Sequence, residues 1–328
     1  MNISVFITSY NQKAYLQEAI ESVLVQTLPP GQIIIVDDCS NDGSQALIEG
    51  YQSRYPDLIT PIFHPRNQGV AQARVSALQA VTGEYVTYLD GDDRYLPAKL
   101  EKESALLDGH RQAQIAFSNS YYMTVDGRQT KTWISNRKPP EGDVFAETLT
   151  RRFPRGNLFR MELLPYSLWK AVGFHDTALN VLEDWDMRIR LTRQYSVVYL
   201  DEPLSEIRVH PDGLSNVDAA TKLSAFEYIW QKNEGLLDDM SPAERNALIS
   251  DMDRLHAVFV RQQAKEVLGA YNQPGQGNKS QAWGFYRESW NYHRCLDLDL
   301  LSGLILPAQL YPPFRNSMRK LAGKGAGR

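Results

Sequence analysis

The sequence predicts an α/β fold: a mostly parallel sheet flanked by helices, with a helical C-terminal extension. Three observations carry this. Short apolar runs at residues 3–7, 33–36, 58–64 and 85–89 alternate with helix-patterned segments over the first hundred residues, which is the layout of repeated strand–helix units. Ile33-Ile34-Ile35-Val36 is apolar at every position, as expected of a strand covered on both faces. Thr8-Ser9-Tyr10-Asn11, Asp37-Asp38 and Asp90-Gly91-Asp92-Asp93 each follow directly on such a run. Polar groups are thereby gathered at the carboxyl ends of strands, where open α/β sheets bind their ligands.

The elements follow in order. Residues 3–7 form a strand, and Asn11 is placed to cap the next helix. That helix carries Tyr15/Leu16, Ala19/Ile20 and Val23/Leu24 on one apolar face, and Pro29-Pro30-Gly31 stops it. The strand at 33–36 is followed by a helix at 44–55 and a third strand at 58–64. Asn67-Gln68-Gly69 precedes a helix through Val81 with Val70, Ala73, Ala77 and Val81 on one face. Residues 85–89, aromatic and β-branched, make the fourth strand, and Gly91 turns the chain out of it. Pro97 suits the first turn of a helix reaching Leu107. Residues 115–124 and 129–134 flank Asp126-Gly127 as a hairpin. A loop at 136–142, short helices at 163–172 and 182–191, and two closing strands at 197–200 and 204–209 complete this part.

Residues 217–268 read as helical with a break at Ser241-Pro242, and 273–277 as a Pro/Gly linker. Trp283, Phe285, Tyr286, Trp290 and Tyr292 on the next helix are expected in a core or at a subunit interface, which leaves a homo-oligomer open. The apolar residues 300–310 precede Arg315, Arg319, Lys320, Lys324 and Arg328. Such a pairing suits either peripheral contact with an anionic membrane surface or a packed helix with a basic end.

Composition narrows the function. The 328 residues are 43% hydrophobic, enough for one large core or two smaller ones. A net charge of −4 gives no basic signature of nucleic-acid binding. Two distant cysteines, Cys39 and Cys295, make no disulfide framework or metal cluster, and Cys39 reads as a small packed residue. The apolar run at 3–7 is too short for a signal peptide, and no stretch approaches the roughly 18 apolar residues of a membrane span. A soluble cytoplasmic protein is expected, with contact to the inner membrane face through the C-terminus as its peripheral variant.

The chemistry concentrates at Asp90-Gly91-Asp92-Asp93. Three carboxylates within four residues repel one another unless a cation lies among them. A divalent cation such as Mg²⁺ takes one or two carboxylates together with substrate phosphates. An acidic surface turn is the plain alternative.

Five segments in this order resemble the family 2 glycosyltransferases with the A-type (GT-A) fold. They are Phe6-Ile-Thr-Ser-Tyr-Asn11, Val36-Asp-Asp-Cys-Ser40, Asn67-Gln-Gly-Val-Ala-Gln-Ala-Arg74, Gly83 to Asp93, and Glu183-Asp-Trp-Asp186. The resemblance covers residues 1–215, implying a nucleotide-binding half at 1–108 and an acceptor half at 109–215, with 216–328 as the extension. It implies a nucleotide-sugar donor held by Thr8, Tyr10, Asp38, Arg74, Asp90 and Asp92, with Asp38 near the base and Arg74 at the diphosphate. It implies Mn²⁺ or Mg²⁺ on Asp92 and Asp90, and Asp184 as the general base toward a glycan, lipid-linked or other hydroxyl acceptor. Arg208, His210 and Ser215 fall where the family closes a loop over the diphosphate. The family's Gln-x-x-Arg-Trp motif and membrane spans are not found in the sequence, which favours single addition over processive synthesis. Val75 follows Arg74 where many members have Asn. Two other readings compete. A nucleotide-sugar-binding protein without turnover sits poorly with the acids at Asp92 and Asp184. A dinucleotide-dependent oxidoreductase needs a glycine-rich turn after the first strand, and Thr8-Ser-Tyr-Asn-Gln12 has none.

Overall fold

A computed structural model describes residues 1–110, 112–135, 137–210, 217–271 and 279–292, with Leu300 and Leu304. It divides into two compact units, Met1–Gly213 and Leu214–Arg328. The first contains β1 (Ile3–Ser9), α1 (Lys13–Leu24), β2 (Gln32–Asp37), α2 (Ser44–Arg54), β3 (Ile59–Phe63), α3 (Val70–Gln79) and β4 (Tyr85–Asp90). It continues with β5 (Arg94–Tyr95), α4 (Lys99–Gly109), β6 (Ile115–Met123), β7 (Gln129–Thr132), α5 (Phe145–Leu149), β8 (Leu164–Pro165), α6 (Tyr166–Val172), α7 (Glu183–Thr192) and β9 (Val197–Arg208).

The first sheet has the order β3-β2-β1-β4-β8, parallel except for the β4–β8 pair. β1 and β2 are buried at every position, so their uninterrupted apolar character follows from two covered faces. Register decides the site: Thr8 lies opposite both Val36 and Asp90, and Ser9 opposite Asp37. The polar residues after β1, β2 and β4 therefore emerge at one sheet edge.

The sequence reading placed the strands in one sheet with two closing strands. The structure has a second sheet, β5-β9-β6-β7, and β9 is one continuous strand of 12 residues. It pairs in parallel with β6, and the register shifts at Ser118/Asn119 and Asn119/Ser120, opposite Leu200–Pro203. Pro203, between the two expected strands, is absorbed there as an irregularity. Asn11 does not cap α1. Its φ is 51° and its side-chain oxygen accepts from the Asn41 backbone N–H at 2.9 Å, while Asp42 accepts from the Lys13 N–H at 2.8 Å. The start of α1 is thus capped from the β2–α2 loop. Cys39 is half-buried with φ 66° rather than a packed core residue.

The second unit is helical: α8 (Ala219–Asn233), a 3₁₀ turn at Glu234–Leu237, α9 (Pro242–Tyr271) and α10 (Lys279–Tyr292). The break before α9 is a capping box, in which the Ser241 hydroxyl accepts from the Glu244 N–H and the Glu244 carboxylate accepts from the Ser241 N–H. Tyr286 is buried with Ala264, Leu268, Ala282, Leu300 and Leu304, and Trp283, Phe285 and Trp290 pack against that cluster. Among the described residues no helix is long and apolar enough to cross a membrane. Ser215, the 273–277 linker, Cys295 and the basic tail lie outside the described residues.

Two glycines test this packing. A Cβ on Gly83 would lie 2.8 Å from the Ser4 backbone nitrogen and 2.9 Å from the Asn2 carbonyl, whereas one on Gly50, inside α2, meets nothing within 4 Å. Gly83→Ala should lower stability in urea denaturation by about 1–3 kcal/mol. Gly50→Ala should raise it by up to about 1 kcal/mol.

Candidate functional site

The site is assembled at the shared edge of β1, β2 and β4, facing the first turn of α7. Gly91 lets the chain leave β4 close to β1: a Cβ there would meet Gln12 Oε1 at 2.8 Å and the Thr8 carbonyl at 3.0 Å. The Gly91 N–H donates to that Thr8 carbonyl at 2.9 Å. Asp90, Asp92 and Asp93 thereby fan out from one tight turn.

Each carboxylate has a different partner. Arg74 donates to Asp90 Oδ1 at 2.9 Å and to Glu183 Oε1 at 2.8 Å, and its guanidinium lies 4.8 Å over the Tyr88 ring. His210 Nε2 lies 2.7 Å from Asp92 Oδ2. Asp93 is buried and accepts the Arg208 backbone N–H at 2.8 Å. Burial and the neighbouring Asp90 charge push Asp92 up, against the His210 hydrogen bond. Burial, with Asp92 and Asp90, pushes Asp93 well above the usual carboxylate range.

Glu183 and Asp184 open α7 and have opposite electrostatics. Burial pushes Glu183 up to about 7, with Arg74 opposing and Asp184 adding to the shift. Burial also acts to raise Asp184, but the positive charges of Arg188, Arg74 and Arg160 outweigh it and hold that carboxyl well below its usual range. Arg188, one helical turn on, donates to Asp184, to the Tyr88 hydroxyl at 2.7 Å and to Glu162 at 3.1 Å. Leu182, just before α7, has φ 60°. A leucine in that region costs roughly 1–2 kcal/mol, so tertiary contacts hold the helix start where it is.

The expected site residues are thus largely brought together. Asp90, Asp92 and Asp184 are joined through Arg74, Glu183 and Arg188, and Thr8 lies beside Asp90. Tyr10, the first residue after β1, is 47% exposed. Asp38 is at the same edge, but its carboxylate is engaged by His64 at 2.7 Å and by the Gln68 and Gly69 N–H groups at 2.9 and 2.8 Å. It therefore fixes the entry to α3, and about one of its four lone-pair sites is left for a ligand. The Arg74 guanidinium gives one terminal nitrogen to Asp90 and the other to Glu183. One expectation is corrected. Arg208 is no mobile loop residue: it ends β9, and its side chain, 1% exposed, bonds Glu18, the Asp92 carbonyl and the Val125 carbonyl.

Sequence reasoning missed Arg188, Glu162, Tyr88 and His64. Arg188 carried a signal, since it stands four residues after Asp184 on a predicted helix, where side chains meet. Glu162 and His64 carried none.

Among the described residues no group of three or more His, Cys, Asp or Glu side chains is placed to hold a metal ion. Asp90 Oδ2 and Asp92 Oδ1 take no part in the ion pairs with Arg74 and His210. Two carboxylate oxygens suit Mg²⁺ or Mn²⁺ completed by phosphate oxygens and water, and not a metal needing a full protein cage.

A mostly parallel α/β sheet with acids at its carboxyl edge, facing an acidic helix start, is the GT-A arrangement. The chain belongs to glycosyl transferase family 2, whose model matches residues 4–167, half of the chain. It is 30% identical over 217 residues to an uncharacterized protein of Mycobacterium tuberculosis, a match covering 65% of this chain. The chain spans about 60% of that relative's length. An uncharacterized glycosyltransferase of Rickettsia typhi is 28% identical over 239 residues, 70% of each chain. Among solved structures, S. aureus TarS 1–349 in complex with UDP-GlcNAc superimposes with a TM-score of 0.64 at 17% identity, covering 98% of this chain and 92% of that one. Likeness at that identity shows the fold.

Two outcomes follow from the ion pairs. Arg74→Met leaves Asp90 and Glu183 without their shared cation and should cost about 3–5 kcal/mol in urea denaturation. Glu183 takes its proton at higher pH in the folded chain than in the unfolded one, because burial raises it from 4.5 to about 7. Folding therefore favours its protonated form, and its contribution to stability falls as pH rises from 4.5 toward 7. Stability of the parent relative to Glu183→Gln, measured across that window, should decline with rising pH and level off above 7.

Proposed function

We propose that the chain transfers a hexosyl group from a UDP-sugar to an acceptor hydroxyl, by single addition and with inversion at the anomeric carbon. Family membership supports the glycosyl transfer, and the TarS complexes, crystallised with UDP and UDP-GlcNAc, favour a UDP-sugar donor. The observation that carries the mechanism is Asp184: a carboxylate held ionised by Arg188, at the mouth of α7, facing the strand end that bears Asp90 and Asp92.

Asp184 accepts the acceptor hydroxyl's proton while that oxygen bonds to the anomeric carbon. A carboxylate with a depressed pKa is a weak base. Proton transfer is then concerted with bond formation, when the hydroxyl has become acidic. The nucleoside diphosphate leaves from the opposite face of the sugar, so the product is inverted and the enzyme forms no covalent intermediate. Asp92, with Asp90, would hold Mn²⁺ or Mg²⁺, which when bound neutralises charge on the departing diphosphate. Asp38, Thr8 and Tyr10 lie on the nucleoside side. Arg74 acts by positioning Asp90 against Glu183 rather than by touching the donor.

The test uses a panel of UDP-sugars with Mn²⁺, reading UDP release and product anomer. Asp184→Asn should lower single-turnover transfer by about 10²–10⁴ while UDP affinity stays near that of the parent. Asp92→Ala should weaken UDP binding itself, and excess chelator should do the same to the parent. Transfer by Asp184→Asn at the parent rate would end the assignment, and UDP binding without release from any donor would favour a protein that binds but does not turn over.

A further inference from the structure

Behind Asp38 lies a chain of polar side chains that the transfer step does not use. His64, the residue after β3, is buried, and its backbone N–H extends the β2–β3 pairing by donating to the Asp37 carbonyl at 2.9 Å. Its ring reaches two elements at once: Nδ1 lies 2.7 Å from Asp38 Oδ1, and Nε2 lies 2.9 Å from the Ser76 hydroxyl on α3. A carboxylate oxygen only accepts, so Nδ1 carries a proton, and in the neutral ring Nε2 accepts from Ser76. The Gln72 amide donates to the same Ser76 oxygen at 3.4 Å. Acid, imidazole and hydroxyl in this order are the parts of a hydrolytic triad. Ser76, however, stands inside α3 rather than at its N-terminus, so the N–H groups around it are taken up by the helix and none is left to form an oxyanion hole. The relay serves Asp38, not a nucleophile.

Asp38 is held on both of its oxygens. Oδ1 receives His64 Nδ1 and the Gln68 N–H, and Oδ2 receives the Gly69 N–H. Each carboxylate oxygen has about two lone-pair sites, so Oδ1 is filled and Oδ2 keeps about one. A carboxylate pinned in this way cannot swing about its own bond without breaking contacts on both sides. A pyrimidine presents to such a group either an imide N–H, as in uracil, or a ring-nitrogen lone pair beside an amine, as in cytosine. A fixed Oδ2 accepts the imide N–H. It meets the cytosine ring nitrogen lone pair to lone pair, and it reaches the adjoining amine only by swinging.

We propose that His64, anchored by Ser76, is the positioning residue that gives the donor site its preference for a base with an imide N–H over an amino pyrimidine. It acts without touching the nucleotide, by filling Asp38 Oδ1 and fixing the plane in which Oδ2 is offered. The Gln68 and Gly69 N–H groups are set by the turn into α3, and His64 ties that same helix to the end of β3 through Ser76. The inference rests on the reading of Asp38 as a nucleoside contact.

Calorimetry of UDP and CDP with the full chain and Mn²⁺ reads the base alone, since the two nucleotides share ribose and diphosphate. The parent should bind UDP at least about ten-fold tighter than CDP, the worth of one hydrogen bond replaced by an unpaired group. His64→Leu opens Oδ1 and frees the carboxylate to turn, and should bring the two affinities to within about three-fold of each other. A merely structural loss would lower both affinities together and keep their ratio. His64→Asn puts an amide N–H where Nδ1–H stood and should recover most of the preference. Ser76→Ala leaves Nε2 unpartnered, should give an intermediate ratio, and carries the test if His64→Leu does not fold. A parental ratio in His64→Leu, or in Ser76→Ala where the leucine variant does not fold, overturns the inference, as does equal binding, or none, of UDP and CDP by the parent. Asp38→Asn separates the two readings and should abolish or reverse the preference. A ratio lost there but kept in His64→Leu sinks the role of His64 alone, whereas a parental ratio in Asp38→Asn shows that the base lies elsewhere and removes the nucleoside reading together with this one.

Discussion

One buried guanidinium holds this site together. Arg74 on α3 spans Asp90 at the end of β4 and Glu183 at the start of α7. Without it, the acids after β4 and the acids opening α7 would repel across a poorly hydrated gap. Its side chain is 6% exposed, with the Tyr88 ring beneath. Removing such charges from water is costly, so the pairing adds little net stability beyond what an apolar contact would give. What it specifies is geometry: α7 can dock only where both carboxylates reach one cation.

A second arginine repeats the device for the neighbouring acid. Arg188 is 1% exposed in its side chain and joins Asp184, Glu162 and the Tyr88 hydroxyl. Tyr88 thus touches both arginines, one through its ring and one through its oxygen. The two acids at the start of α7 end up unlike. Glu183 faces one shared guanidinium and is pushed toward neutrality by burial, while Asp184 sits among several cations and stays charged. That division puts two carboxylates of opposite electrostatics within a single helical turn.

The second sheet is tied to the same edge by ionic contacts. Arg94 on β5 pairs with Glu206 on β9 and with Glu18 on α1, and Arg208 also reaches Glu18 while its backbone holds Asp93. Arg208 lies 4.5 Å over the Tyr15 ring, and Tyr15 also packs against His210. The end of β9 is therefore set by β5 and α1, and this in turn sets His210 on Asp92. Positive-φ residues Asn11, Cys39 and Leu182 fall in the connections after β1, after β2 and just before α7, and backbone strain of this kind is commonly stored at functional sites.

The sequence by itself determined the alternation of strand and helix and the location of acids after strands. Both are local properties: burial on two faces writes an unbroken apolar run, and a turn after it admits Asp and Gly. The Ser241-Pro242 break was legible for the same reason, since a capping box acts within four residues. Tertiary structure alone decided where the arginines point. Arg74 meets partners 16 and 109 residues away, and Arg208 meets Glu18 across 190. Nothing in the local pattern of a charged side chain distinguishes a ligand-facing cation from one consumed by a distant carboxylate. The continuity of β9 through Pro203 was likewise hidden, because a register shift in its pairing with β6, and not its own sequence, accommodates the missing donor.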